Sequence, residues 1–259
     1  MKNKRLIAFF CALAFMAVIV VGCGVVFTFK KAEVYFVNEQ GQYVQVEKEK
    51  EDNIQTECIK SFFGKNLLFL DTSAVAEKVE QANLDLKAEK VEKAYPKKIR
   101  IFVSVRIKLY YLQVDGENYI CSYDGFVMQK SDDVSDLVKV DGDYGEVSGL
   151  SVGSYIKGSF ANADNYMVVQ NFFASVHEIE GFEYGDISSL FRSITFQDEQ
   201  LVCQTQGGAT FVFDQPSVDF GAKFDDVYSS YVANADKQDN GTFICGERQP
   251  NGKYSVDVQ

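Results

Sequence analysis

The sequence of 259 residues contains no tryptophan and a single histidine, His177. This scarcity removes most metal sites, and it leaves His177 as the only possible centre of a histidine-dependent catalytic device. His177 lies at the end of a predicted amphipathic helix. Because a helix C-terminus favours the protonated imidazole, we expect a structural role for this residue rather than a catalytic one.

The six cysteines also lack a functional spacing. None forms a CxxC pair, which argues against a zinc or redox site. Cys11 and Cys23 lie in an apolar N-terminal run, and four others lie in the body of the chain: Cys58, Cys121, Cys203 and Cys245. Four cysteines allow three pairings, and the sequence does not choose among them. We expect most of them to be small buried residues.

Other possible sites are equally weak. The acidic pairs Asp132-Asp133 and Asp225-Asp226 lack the spacing of an EF-hand, and Gly207-Gly208 lies between two predicted strands, where it indicates a hairpin rather than a phosphate loop. No pattern combines a nucleophile with a base and an orienting group. We therefore expect a protein that is not an enzyme, with no metal, cofactor or small-molecule substrate, that acts as a binding or scaffold protein.

The net charge of −11 argues against nucleic acid as a partner. The sequence instead points to a membrane. Residues 6–29 form an apolar run of 24 residues without a charge, and a helix of that length reaches about 36 Å, against a hydrocarbon core of about 30 Å. Three basic residues precede it: Lys2, Lys4 and Arg5. The run therefore predicts a single membrane helix at 6–29, with a cytoplasmic tail at residues 1–5.

A lipid anchor is the alternative. Val20-Val21-Gly22-Cys23 resembles a lipobox, which would make the chain a lipid-anchored extracytoplasmic binding protein. Two features favour the helix. The apolar segment before Cys23 is longer than the h-region of a signal peptide, and residues 24–29 stay apolar where a lipidated protein has a polar tether.

After the membrane segment, hydrophobic periodicity predicts the order β-α-α-β-β. Residues 52–63 have helical spacing and stop at Gly64. The side chains of Asp71-Thr72-Ser73 can cap a second helix, which carries Val75, Val79 and Ala82 on one face. Residues 39–51 are expected to form an exposed loop. The strands are predicted at 33–38, 87–93 and 98–107, and the last of these alternates Ile99, Ile101, Val103, Val105 and Ile107 on one face.

The second half of the chain is predicted to be rich in strands. Hairpins are expected across Asp115-Gly116 and Gly207-Gly208, and helices at 165–179 and 224–232. Residues 242–247 and 253–258 form a terminal strand pair. The fold class is α+β: a membrane helix, a β-α-α-β-β domain, and a mainly antiparallel β-rich domain with one or two helices.

Three stretches resemble the FtsQ/DivIB family of bacterial cell-division proteins. They are EVYFVN at residues 33–38, GKNLLFLD at 64–71 and YPKKIRIFV at 95–103. The resemblance covers nearly the whole chain and is most specific over residues 64–106. Where the family continues with Glu-Arg and then Pro, this chain has Val105, Arg106 and Lys108, so only the arginine is kept.

The resemblance implies a POTRA domain at residues 32–108 and a β-domain at 109–259. It also implies a non-enzymatic divisome scaffold in the bacterial plasma membrane, enriched at the division septum, with most of the chain extracytoplasmic. Such a scaffold recruits or stabilises other bitopic division proteins, of the FtsL and FtsB/DivIC type.

The family's main partner site is the late strand region of the β-domain, to which a partner segment adds as an extra strand. Carried onto this chain, the predicted partner-binding residues are Phe243, Ile244, Cys245, Glu247 and Arg248, with Tyr228 and Tyr231 on the preceding helix. An exposed edge strand offers unpaired N–H and C=O groups, which gives this prediction an independent physical basis. The alternative is that residues 253–258 cover this edge and the predicted residues only pack.

Overall fold

The computed structural model describes residues 12–18, 22, 24–38, 41–45, 48–142, 147–159, 161, 163–178, 182–197 and 199–259. The chain divides into two compact units, Met1–Arg106 and Ile107–Gln259. Each unit has a hydrophobic cluster and a β-sheet of its own.

The N-terminal run is described in part. Residues 12–18, 22 and 24–26 are helical, and within the described residues no helix combines the length and apolarity needed to cross a bilayer. The rest of the predicted membrane helix lies outside the described residues, as does the cytoplasmic tail at 1–5. So do Val20, Val21 and Cys23 of the lipobox-like sequence.

The first unit has the predicted element order β-α-α-β-β. Its elements are β1 (Lys31–Phe36), α1 (Lys48–Asn53), α2 (Thr72–Ala82), β2 (Leu86–Ala94) and β3 (Lys98–Val105). The first helical segment begins four residues earlier than the expected start at residue 52, within the predicted loop. It continues from α1 as a π-helical turn at Ile54–Cys58 and a 3-10 turn at Lys60–Phe62.

The three strands form a sheet in the order β1-β3-β2, with β1 parallel and β2 antiparallel to β3. The predicted alternation of β3 buries Ile99, Ile101 and Val103, but Val105 is 56% exposed. Ser104, on the other face of the strand, is 5% exposed, and its hydroxyl donates a 2.7 Å hydrogen bond to Glu89. The inward face of β3 is therefore correctly predicted only as far as Val103.

Helix α2 begins as the sequence predicts. The Asp71 carboxylate accepts hydrogen bonds from the backbone N–H groups of Ser73 at 2.9 Å and Ala74 at 3.4 Å, which caps the first turn. Val75 and Val79 are buried, whereas Ala82 in the last turn is exposed. The buried face is therefore shorter than predicted.

The second unit is built on a nine-stranded sheet in the order β12-β11-β10-β9-β8-β7-β4-β5-β6. The strands are β4 (Lys108–Val114), β5 (Glu117–Ser122), β6 (Val127–Lys130), β7 (Val138–Gly142), β8 (Phe191–Gln197), β9 (Gln200–Thr205), β10 (Thr210–Asp214), β11 (Thr242–Arg248) and β12 (Tyr254–Val258). The α-helices are α3 (Ala163–His177), α4 (Tyr184–Leu190) and α5 (Phe220–Ala233).

This sheet is mixed rather than mainly antiparallel. The pairs β4–β7, β7–β8 and β10–β11 are parallel. Parallel neighbours need a long crossover, and the helices supply it: α3 and α4 lie between β7 and β8, and α5 lies between β10 and β11. The described residues of this unit contain three α-helices, one more than the upper number expected, because the sequence does not predict α4.

The predicted hairpins are confirmed. Asp115 and Gly116 both have positive φ, 51° and 81°, as a tight two-residue hairpin between β4 and β5 requires. Gly208 lies in the β9–β10 turn with φ of 111°, and a Cβ there would collide with the backbone carbonyl of Asp239. A close backbone contact therefore requires glycine at position 208.

One cluster of aromatic and aliphatic residues fills the second unit. Alternate residues of β8 to β11, such as Phe211 and Phe243, pack against helix residues that include Phe172 and Phe224. The helix face predicted for 165–179 is confirmed, because Tyr166, Val169, Phe173 and Val176 are all buried. The four body cysteines are free and buried, as expected for small packing residues.

Candidate partner-binding edge

Strand β11, where most predicted site residues lie, is an interior strand between β10 and β12. Phe243 is fully buried against the rings of Phe211, at 5.7 Å, and Tyr231, at 5.6 Å. Cys245 is 3% exposed, and burial raises the pKa of its thiol to about 11. Ile244 is half-buried. Phe243 and Cys245 therefore face the core, and the free edge of the sheet is one strand further on.

The two predicted tyrosines of α5 are half-buried in the same packing. Tyr228 stacks on Phe224 at 6.0 Å and meets the edge of Phe182 at 5.3 Å. Burial, with the neighbouring Tyr231, raises the pKa of Tyr228. Tyr231 contacts Phe211 and Phe243 across the sheet. Tyr231 thus joins α5 to the sheet, whereas Tyr228 joins α5 to Phe182.

Glu247 and Arg248 are exposed at the end of β11. The Arg248 side chain folds back onto its own unit: Nη1 lies 3.2 Å from Asp219 Oδ2, and Nε donates a 3.1 Å hydrogen bond to the Gly252 carbonyl. Its guanidinium carbon also lies 5.8 Å from the centre of the Tyr254 ring. Arg248 therefore fixes the β11–β12 turn, while Glu247 faces solvent.

Strand β12 forms the edge of the sheet. Thr242 and Gln259 exchange both backbone hydrogen bonds, and the antiparallel register pairs Phe243 with Val258 and Cys245 with Val256. Because hydrogen-bonded and non-bonded pairs alternate in such a ladder, the N–H and C=O groups of Val256 and Val258 point away from β11. Their side chains are half-buried against the core. Strand β12 therefore has a free hydrogen-bonding edge while its valine side chains pack against the core.

The start of β12 is held by α5. The Asp226 carboxylate accepts a 2.7 Å hydrogen bond from the Tyr254 backbone N–H, and the Tyr254 hydroxyl donates to Asp219 at 3.2 Å. The carbonyls of Asp214 and Gln215 accept from the buried Lys223 ammonium in the same region. These contacts pre-order the edge and lower the entropy lost when a partner strand adds to it.

The opposite edge of this sheet is less open. β6 has four residues, and residues 153–155 run beside its first half. The Val127 N–H donates to the Ser154 carbonyl at 2.9 Å, and the Gly153 N–H donates to the Val127 carbonyl at 2.8 Å. Within the described residues, the second unit therefore offers its best-formed free edge at β12.

The edges of the smaller sheet are also protected. The Val44 N–H donates a 2.8 Å hydrogen bond to the Phe36 carbonyl, which covers the end of β1. β2 carries five charged residues in its sequence LKAEKVEKA, and such charges oppose edge-to-edge pairing.

Sequence reasoning missed Val256 and Val258 as edge residues. The available signal was the alternation Tyr254, Val256, Val258 with polar Ser255 and Asp257 between them, which is typical of a strand with one buried face. That pattern does not say which of two paired strands has a free side.

The residues considered above as possible catalytic or metal-binding groups make packing and backbone contacts in the structure. The His177 ring stacks on Tyr184 at a centroid distance of 4.0 Å. Asp226 binds the Tyr254 backbone, and burial raises the pKa of its neighbour Asp225, with a further contribution from Asp226 and Glu178. In the part of the chain that the structure describes, no three His, Cys, Asp or Glu side chains are grouped as metal ligands.

Comparison with known proteins gives a similarity to a cell-division protein. The chain is 32% identical over 79 residues to the cell division protein DivIB of Clostridium tetani (strain Massachusetts / E88). The matched segment spans 30% of this chain and 29% of that protein, so it covers less than a third of either. No family model matches the chain. The comparison supports a distant relationship to proteins of the FtsQ/DivIB type.

Proposed function

We propose that the chain is a non-enzymatic scaffold of the bacterial cell-division machinery. In this proposal residues 6–29 form a single membrane helix with the N-terminus in the cytoplasm, and the two units lie outside the membrane, at the division septum. The similarity to DivIB is the observation that carries the cell-division role. The uncharged run of 24 residues supports the membrane helix.

The two units correspond, in this proposal, to a POTRA domain at residues 32–108 and a β-domain at 109–259. The order β-α-α-β-β of the first unit supports the former assignment. The mixed nine-stranded sheet, which ends in a pre-ordered edge, supports the latter.

The partners are other bitopic division proteins, of the FtsL and FtsB/DivIC type, and the mode of binding is strand addition at β12. Val256 and Val258 offer two N–H and two C=O groups to an incoming strand. At about 0.5–1.5 kcal/mol for each hydrogen bond, four bonds contribute roughly 2–6 kcal/mol. Glu247, Arg248 and Ile244 border the edge. Phe243, Cys245, Tyr228 and Tyr231 hold its position from beneath.

Charge favours a basic partner segment. The second unit carries 24 Asp and Glu against 9 Lys and Arg. Such an imbalance raises the association rate with a positively charged partner and makes that rate fall as salt is added. The partner strand is therefore expected to have lysine or arginine residues on its flanks.

Imaging of a fluorescent fusion to the full chain tests the cell-division role. We expect a midcell band that appears with septum formation. A fusion to residues 1–31 alone serves as the control for membrane labelling without either unit. Uniform peripheral signal from the full-length fusion through the whole cell cycle would contradict the proposal.

A further inference from the structure

Three segments of the first unit meet where the N-terminal run enters it. The Phe29 N–H donates a 2.8 Å hydrogen bond to the Lys65 carbonyl, and the Leu67 N–H donates to the Phe27 carbonyl at 2.6 Å. On the other side, the Lys30 N–H donates to the Lys97 carbonyl at 2.9 Å. Residues 27–31 are thus held between the loop at 64–67 and the turn at 95–97.

Large apolar side chains are exposed around this entry point. Phe69 is 86% exposed and Tyr95 is 55% exposed. The Tyr95 ring meets Phe27 edge-on at 5.8 Å, and the Phe69 N–H donates to the Asn66 carbonyl. Exposed aromatic residues that gather around one point mark an interaction surface more strongly than scattered ones.

Lysines surround these aromatic residues. Lys30 and Lys65 are exposed and Lys97 is half-buried, and Lys65 also lies 4.7 Å from the centre of the Phe62 ring. Without the predicted cytoplasmic tail, the first unit has 14 Lys and Arg against 13 Asp and Glu and is therefore close to neutral, whereas the second unit has a large acidic excess. An anionic surface is therefore the complementary partner for the entry point.

Phe63 also lies at the entry point, because it is 36% exposed and its ring stacks on Phe29 at 4.9 Å. We propose that this entry face, formed by Lys30, Phe63, Lys65, Phe69, Tyr95 and Lys97, contacts the headgroup region of a bilayer that contains anionic lipid. The inference rests on the proposed membrane helix, because the uncharged run at residues 6–29 leads directly into the face. Aromatic rings and lysines together suit the membrane–water interface: the rings enter the interfacial layer, and the ammonium groups attract acidic headgroups.

The absence of tryptophan makes a direct test possible. Phe69→Trp places a single fluorescent reporter on the face at a site so exposed that folding is unaffected. Val105→Trp is the matched control, since Val105 is 56% exposed in the same unit. Lys98, the first residue of β3, is adjacent to Lys97 of the entry face, and Val105 is the last residue of β3. At about 3.3 Å per residue, Val105 lies roughly 23 Å from Lys98.

Each full-length variant is reconstituted in vesicles of phosphatidylcholine with or without phosphatidylglycerol, with brominated acyl chains as quencher. We expect blue-shifted, quenched emission from Phe69→Trp and water-like, unquenched emission from Val105→Trp. Replacement of Lys30, Lys65 and Lys97 by Gln should reduce the quenching of Phe69→Trp in phosphatidylglycerol vesicles to the level found in phosphatidylcholine alone.

The experiment distinguishes failure of the proposed lipid contact from failure of the proposed membrane helix. Protein that floats with the vesicles while Phe69→Trp stays unquenched would overturn the lipid contact and leave the proposed scaffold intact. Blue-shifted emission without quenching would mean that another protein surface covers Phe69, which also overturns it. Protein that does not float with vesicles at all would contradict the membrane helix and the lipid contact together.

Discussion

The role of Phe243 provides the sharpest stability test, because sequence reasoning placed this residue in a partner site and the structure places it in the core. The side chain is fully buried on β11 between Phe211 and Tyr231. Phe243→Ala removes most of an aromatic side chain from this packing. Ile244→Ala is the matched control, because Ile244 is the next residue of the same strand and is half-buried.

The expected loss is large for Phe243→Ala. Truncation of a fully buried Phe lowers the free energy of unfolding by about 3–5 kcal/mol, the sum of lost transfer energy and the cavity that remains. Ile244→Ala should cost about 1 kcal/mol, because its side chain already contacts water in part. The free energy of unfolding of a domain is roughly 5–15 kcal/mol in total, so Phe243→Ala could unfold a weakly stable unit. Phe243→Leu should lower this free energy by only about 1 kcal/mol and provides a variant that can still be measured.

Thiol labelling in urea reports each unit separately. Cys203 is fully buried in the second unit and Cys58 is buried in the first, so mass spectrometry of the labelled protein follows both transitions in one sample. Phe243→Ala should lower the urea midpoint of Cys203 labelling by about 2 M, for a dependence of about 2 kcal/mol per M. The Cys58 midpoint should not move.

A small effect would refute this reasoning. If Phe243→Ala lowered the Cys203 midpoint no more than Ile244→Ala, Phe243 could not be packed as described. The assignment of β11 to the interior of the sheet would then be wrong.

Three further predictions concern the capping, ionic and thiol groups. Asp71→Ala removes the cap of α2 and should lower the free energy of unfolding by about 1 kcal/mol, measured by Cys58 labelling, while Asp52→Ala serves as an acidic control. Glu80→Ala leaves the buried Arg106, whose Nη2 lies 3.3 Å from Glu80, without this carboxylate, and should cost about 3–5 kcal/mol in the same assay; a loss below 1 kcal/mol would contradict it. Burial raises the pKa of Cys245 from about 9 to about 11, so between these pH values the folded state keeps the thiol proton and the unfolded state loses it. The free energy of unfolding should therefore fall between pH 9 and 11, as measured by denaturant unfolding followed by circular dichroism. It should fall less in Cys245→Ala.

Local features of the fold could be predicted from the sequence. The Asp71 cap, the Asp115-Gly116 hairpin and the buried face of α3 depend on residues that are close in sequence, and all three are confirmed. The β-α-α-β-β order follows from periodicity for the same reason. Val105 pairs directly with the buried Leu86 and so lies on the predicted face, yet it is exposed at the last position of β3, because alternation along a strand does not show where its covered part ends.

The features that sequence reasoning missed are set by long-range pairing. Whether β11 is an edge or an interior strand depends on β12, which pairs on its other side, and the parallel pairs depend on where α3 and α5 return the chain. The seven-residue helix α4 is too short for a clear period, and its capping box is the unusual pair Glu183 and Asp186. The free edge is therefore strand β12, next to strand β11, where the sequence places most of the predicted site residues.

Binding of a partner to β12 is the central claim. Val256→Pro removes the N–H that points away from β11 and leaves the bonds between β11 and β12 intact, as proline at an edge position allows. Val256→Ala is the control, because it loses the side chain and keeps the N–H. Cys203 labelling in urea verifies that both full-length variants are folded.

The decisive measurement is the affinity of each variant, in detergent, for an FtsB/DivIC-type protein of the same cell. We predict that Val256→Ala binds within about twofold of the unchanged chain. Val256→Pro should bind at least about tenfold more weakly, since the loss of one strand hydrogen bond and the displacement of the added strand cost about 1.4 kcal/mol or more. Folded Val256→Pro that binds as tightly as Val256→Ala would contradict the account.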